Sequence, residues 1–174
     1  AEEEGWCLGD RAASVLLRAL HCGGLTVPPG RSSEAWGVEG LGGESRELVY
    51  ERVEALTALV ACAACEGMYC EPAELPRREQ RLLRRVTTGA VPGLPDGALT
   101  NTLQSMLNAV LHYHPGGWTL QPEAKEAPGL LLDCALHAVL LLVDYRPPIT
   151  DGPNLFRVAL SAVDDPGALL GLAG

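Results

Sequence analysis

The sequence predicts an all-α protein, an irregular α-solenoid of armadillo or HEAT type built from long helices joined by Pro/Gly-rich loops. Three observations point there. Apolar residues recur at the three-and-four spacing that gives a helix one apolar face. Leu, Val and Ala must fill the core, because the 174 residues include one Phe, three Trp and four Tyr. Ala and Leu favour helix, and long β-branched runs that would favour strand are scarce. Finally, 20 Gly and 13 Pro cluster between the periodic segments and punctuate them. No fixed-period self-similarity is visible, so the solenoid is irregular. A compact helical bundle is the alternative architecture.

The first helix is expected over 10–21, with Asp10 as N-cap and Val15, Leu16, Ala19 and Leu20 on its apolar face. Gly23 and Gly24 end it, Pro28 and Pro29 prevent its restart, and a loop holding Trp36, Gly37, Gly40, Gly42 and Gly43 follows. The second helix spans 45–68, capped by Ser45, with Leu48, Val49, Val53, Leu56, Leu59, Val60 and Ala63 buried. Pro72 and Pro76 break the chain before a short helix over 77–88. A further helix over 98–113 carries Leu99, Leu103, Met106, Leu107, Val110 and Leu111. The next, over 128–145, is apolar nearly all round and should lie centrally. Pro147 and Pro148 stop it, and shorter helices follow over 154–163 and 166–172.

The net charge of −9 speaks against nucleic acid as a partner. A transmembrane segment is not expected either. The most apolar run, 130–143, contains Asp133 and His137 and falls short of the roughly 20 residues a bilayer core requires. The chain opens on Glu2, Glu3 and Glu4, unlike a secretory signal. Ala1 in place of Met, and Gly174 just after an apolar segment, read as cut ends. The expectation is therefore a single helical-repeat segment, 1–174, from a larger protein. A cut solenoid leaves apolar helix faces uncovered, so marginal stability is expected.

Several motifs invite a chemical reading. Cys62 and Cys65 have redox or zinc spacing, and Cys70, His112 and His114 could complete a site. They fall near the end of a long helix, however, where the helix dipole does not activate a thiol, and no second ligand pair has zinc-site spacing. Asp133, Cys134 and His137 share a helix face, but catalytic partners normally converge from different elements. The 37–43 loop is glycine-rich without the strand and Lys-Ser or Lys-Thr of a phosphate cradle. Neither a catalytic residue nor a cofactor or metal is therefore assigned. The six cysteines read as reduced.

The most interesting exposed feature is basic. Arg77, Arg78, Arg81, Arg84 and Arg85 hold five of the 13 basic residues on one helix. At about 100° per residue they share a face, with Leu82, Leu83 and Val86 opposite. Such a face could dock anionic lipid or an acidic protein. The plainer account is a solvated face paired with neighbouring carboxylates.

Several segments, in order, resemble the high-temperature-induced dauer formation proteins, relatives of dymeclin. Residues 16–27 are an apolar helix ending in Leu-His-Cys-Gly-Gly-Leu-Thr-Val, and 34–40 are a Trp- and Gly-containing loop. Residues 51–72 are similar to the family's long leucine-rich helix. The strongest match is 103–118, where Leu107-Asn108-Ala109-Val110 precedes Tyr113-His114-Pro115-Gly116-Gly117-Trp118. The 130–145 helix and Gly152-Pro153-Asn154-Leu155-Phe156 continue in register. Arg77 to Val86 is more basic than the family pattern, and the connector after Trp118 is shorter. The resemblance implies a non-catalytic helical scaffold, peripheral on the cytosolic face of the Golgi and trans-Golgi network. It would sort secretory-granule cargo through protein partners. The lipidated Met-Gly start of that family does not open this sequence. Two other readings stand beside it: a small thiol- or metal-dependent enzyme built on Cys62, Cys65 and the histidines, and a generic cytosolic adaptor.

Overall fold

A computed structural model describes residues 8–22, 25–27, 46–68, 80–91, 93, 94, 97–111, 113 and 126–161. These form six α-helices and no β-strand: α1 (Leu8–Ala19), α2 (Arg46–Met68), α3 (Arg81–Thr88), α4 (Ala98–Leu111), α5 (Glu126–Asp144) and α6 (Leu155–Ser161). A 3-10 turn, Ile149–Asp151, interrupts the link between α5 and α6. The all-α expectation holds. Ser45 and the 166–172 helix lie outside the described residues.

Helix α5 is the hub, packing most extensively on α2 and next on α4, with further contacts to α3 and α6. Helix α1 closes on α2 and α3, and α6 sits against α3, α4 and α5. The shared core holds Leu17 and Leu20, Val49, Leu56 and Leu59, Leu82 and Val86, Leu103 and Met106, Leu131 and Leu142, and Phe156. Within α2, Val49, Leu56, Leu59 and Ala63 are buried as the periodicity requires, while Val53 and Val60 pack at the core's edge.

Two helix readings change. Helix α1 begins at Leu8, which puts Asp10 in its first turn and not at its cap. An acidic residue complements the helix dipole in either place. On α4 the buried face includes Thr102, Ser105 and Asn108, while Leu111 is exposed, so the helix is rotated from the position its leucines suggest. Thr102 stays satisfied there by donating to the Ala98 carbonyl at 2.7 Å.

Helix α5 is central yet incompletely covered. Leu130, Asp133, Leu136, His137, Leu140 and Asp144 are all exposed, and at 100° per residue they fall in one arc of about 120°. By length and composition alone its stretch Ala127–Asp144, 18 residues of mean hydropathy 1.7, could cross a bilayer. In this structure that stretch packs on four other helices with 28% of it buried, and it carries the exposed Asp133 and His137.

Polar ties fix the exit from α1. Thr26 Oγ1 donates to the Ala19 carbonyl at 2.5 Å, closing the helix end. The Thr26 carbonyl in turn accepts from Arg52 Nε of α2 at 2.6 Å. Arg52 is 1% exposed, so this charged side chain is part of the core. Beside it, His21 Nε2 lies 2.9 Å from Thr102 Oγ1 and links the α1 exit to α4. Because the Thr102 proton goes to Ala98, the imidazole is the donor in that pair.

Candidate functional site

Helix α3 presents the arginine face with its apolar side inward: Leu82, Leu83, Val86 and Thr87 are buried, as the spacing requires. The helix starts at Arg81, and Arg77 and Arg78 lie outside the described residues. It ends at Gly89, whose φ of 77° is left-handed and whose position faces Leu155 of α6; a Cβ there would come within 2.9 Å of the Leu155 side chain. Glycine therefore both stops α3 and admits α6.

The arginines differ in their situation. Arg81 is exposed and Arg85 half-buried. Arg84 turns its guanidinium onto Asp151 of the 3-10 turn: Nη2 donates to Oδ1 at 2.7 Å, and Nε meets Oδ2 in the same ion pair. With Asp151 only 13% exposed, this hydrogen-bonded ion pair joins α3 to the α5–α6 link across 67 residues of sequence. The fork of Arg84 is thus engaged within the chain.

The other end of that pair is a second candidate, which sequence reasoning passed over. Residues 145–154 form an elbow between α5 and α6. Pro147 and Pro148 block continuation of α5, and Pro148 takes an extended conformation, φ −53° and ψ 145°. Asp151 N donates to the Pro148 carbonyl at 2.9 Å. Gly152, at φ 89° and ψ −178°, occupies a region open essentially to glycine alone. Asn154, 4% exposed, then works at both ends of its amide. Its Nδ2 donates to the Leu142 and Tyr145 carbonyls at 2.7 and 2.9 Å, satisfying the end of α5. Its Oδ1 accepts from Phe156 N and Arg157 N at 2.9 and 3.2 Å, capping α6.

This locked elbow carries an open notch of about 520 Å³, whose lining includes Arg146, Pro147, Ile149, Pro153, Arg157 and Val158. Ile149 is fully exposed, and Arg146 and Arg157 are exposed with no carboxylate partner among the described residues. On the other flank of α6 a second hollow of about 390 Å³ is lined by Leu99, Leu103, Leu155 and Val158, among others. Val158 is the ridge between them.

The chemical motifs do not come together. Among the described residues no group of three His, Cys, Asp or Glu side chains could hold a metal. Cys62 is half-buried on α2, and the side chains of Cys65, Cys70, His112 and His114 lie outside the described residues, as do Trp36 and the 37–43 loop. On α5, Asp133 and His137 are both exposed. Cys134 instead lies 3.3 Å from Thr57 Oγ1 of α2.

Comparison with protein-family models, with curated proteins and with solved structures yields no match. The class defined by fold and site is an all-α protein with a basic, apolar elbow exposed at one end of its hub helix.

Proposed function

We propose that this chain is a non-catalytic scaffold segment, an irregular α-solenoid that makes protein–protein contacts in Golgi and trans-Golgi network trafficking. The observation that carries the contact role is apolar surface on rigid elements. Leu136 and Leu140 of α5 and Leu155 and Val158 of α6 are 39%, 65%, 39% and 47% exposed. Ile149, on the tied elbow, is entirely so. Aliphatic side chains held in water at fixed positions suit burial against a partner. Location at the cytosolic face of the Golgi, and a part in sorting secretory-granule cargo, rest on the resemblance of the 103–118 segment and its neighbours to the dauer-formation family.

Expressing the tagged chain in a secretory cell line and imaging it against a trans-Golgi marker tests the placement. Co-localisation, with granule cargo lost from the regulated pathway on depletion of the endogenous protein, is the expected result. Uniform cytosolic signal with unchanged cargo sorting would overturn it.

A further inference from the structure

We propose that the α5–α6 elbow is a binding site for a short partner segment in which an aliphatic side chain stands beside carboxylates. This gives partner chemistry to the scaffold reading and rests on it.

The first argument is rigidity. Two prolines, Gly152 in its restricted conformation, the Arg84–Asp151 pair and four hydrogen bonds of Asn154 all hold residues 145–154. Yet the side chain this framework displays most fully is Ile149, 101% exposed. A surface ordered before contact loses little conformational entropy on binding, one of the costs a small interface must offset.

Charge is the second argument. The chain carries 22 acidic against 13 basic residues, so carboxylates are plentiful. Arg84, which reaches the same elbow from α3, is taken up by one of them. Arg146 and Arg157, both lining the notch, have none among the described residues. Two forked donors beside an apolar hollow are complementary to carboxylates flanking an aliphatic anchor.

The lining decides between a peptide and a membrane. The notch of about 520 Å³ is open and the neighbouring hollow of about 390 Å³ more enclosed, and both are lined mainly by apolar groups. A mainly apolar lining suits an aliphatic side chain better than a phosphate headgroup. A peptide meets the ridge at Val158 with one side chain on either flank. The contact is small, so affinity on the order of micromolar is expected.

The test pans a phage-displayed random peptide library against the intact chain and measures enriched synthetic peptides by fluorescence anisotropy. Enrichment of Asp or Glu next to Leu, Ile or Val is expected. Their Kd should weaken roughly tenfold in the double variant Arg146→Gln/Arg157→Gln and again in Ile149→Ser, with no change in Arg81→Gln. All of these positions are exposed, so the fold is kept. A library that enriches nothing, or peptides that bind every variant equally, would overturn the site. So would phosphatidylcholine–phosphatidylserine vesicles that bind the wild type and release the double variant. Imaging the same variants separates the two claims: Golgi placement retained without peptide binding leaves the scaffold reading standing and removes only the elbow.

Discussion

Helix α3 and the α5–α6 elbow are joined by one ion pair and carry opposite lessons about arginine. Helix α3 has three described arginines on eight residues, yet the best placed of them, Arg84, is engaged by Asp151. The elbow has only Arg146 and Arg157, 61 and more positions beyond Arg85, the nearest arginine of α3, in no recognisable cluster, and they lie open beside an apolar notch. Density of charge along a sequence records how many cations there are. Which of them remain available depends on what the fold lays against each, and here an aspartate from a distant turn decides it.

The comparison is broken most severely by unseating α6. Phe156 is 1% exposed, and Phe156→Ala should cost about 3–5 kcal/mol through lost burial and a residual cavity. Urea denaturation followed by circular dichroism measures this, and the elbow's binding should disappear with the packing of α6. Next in size is the elbow's own lock. Asn154→Ala removes a cap and two buried donors, about 2 kcal/mol. Asn154→Asp keeps the cap acceptor but sets a carboxylate oxygen against the Leu142 and Tyr145 carbonyls, so it should be at least as destabilising. If Asp proves nearly neutral, the amide is only a cap and the elbow is not tied to α5 through it.

How far the sequence leads is clearest from these same residues. Helices bounded by Pro and Gly were readable, because periodicity and punctuation act locally; α2 is the plainest example, with Val49, Leu56 and Leu59 buried as spaced. The turn of Asn154 was partly readable too. An Asn after Gly152-Pro153 and before Leu155-Phe156 is an N-cap signal, although nothing local reveals its second pair of bonds to α5. Arg52 was not readable at all. A charged residue in a helix reads as solvated, and nothing local announces the Thr26 carbonyl, 26 residues away, that accepts from its buried Nε. Helix α5 misleads in the opposite sense: an apolar composition all round suggests full burial, but composition does not count neighbours, and Leu140 remains 65% exposed. The candidate site suffered most, since the elbow's notch is assembled from residues that carry no motif and become a surface only when α6 folds back beside α5.

The smallest expected effect isolates the ion pair that joins the two regions. Arg84 is 36% exposed, so solvent screens its attraction to Asp151 and the pair contributes modestly. A double-mutant cycle of Arg84→Gln and Asp151→Asn should return a coupling of about 1 kcal/mol, because the ion pair is hydrogen-bonded and one partner is largely buried. Removing Asp151 alone also frees the Arg84 fork on the elbow's flank. Asp151→Asn should therefore tighten, not weaken, the binding of an acidic peptide while lowering stability slightly. A cycle with no coupling would mean that α3 and the elbow are held together by packing alone, and that the engagement of Arg84 has no bearing on which arginines a partner meets.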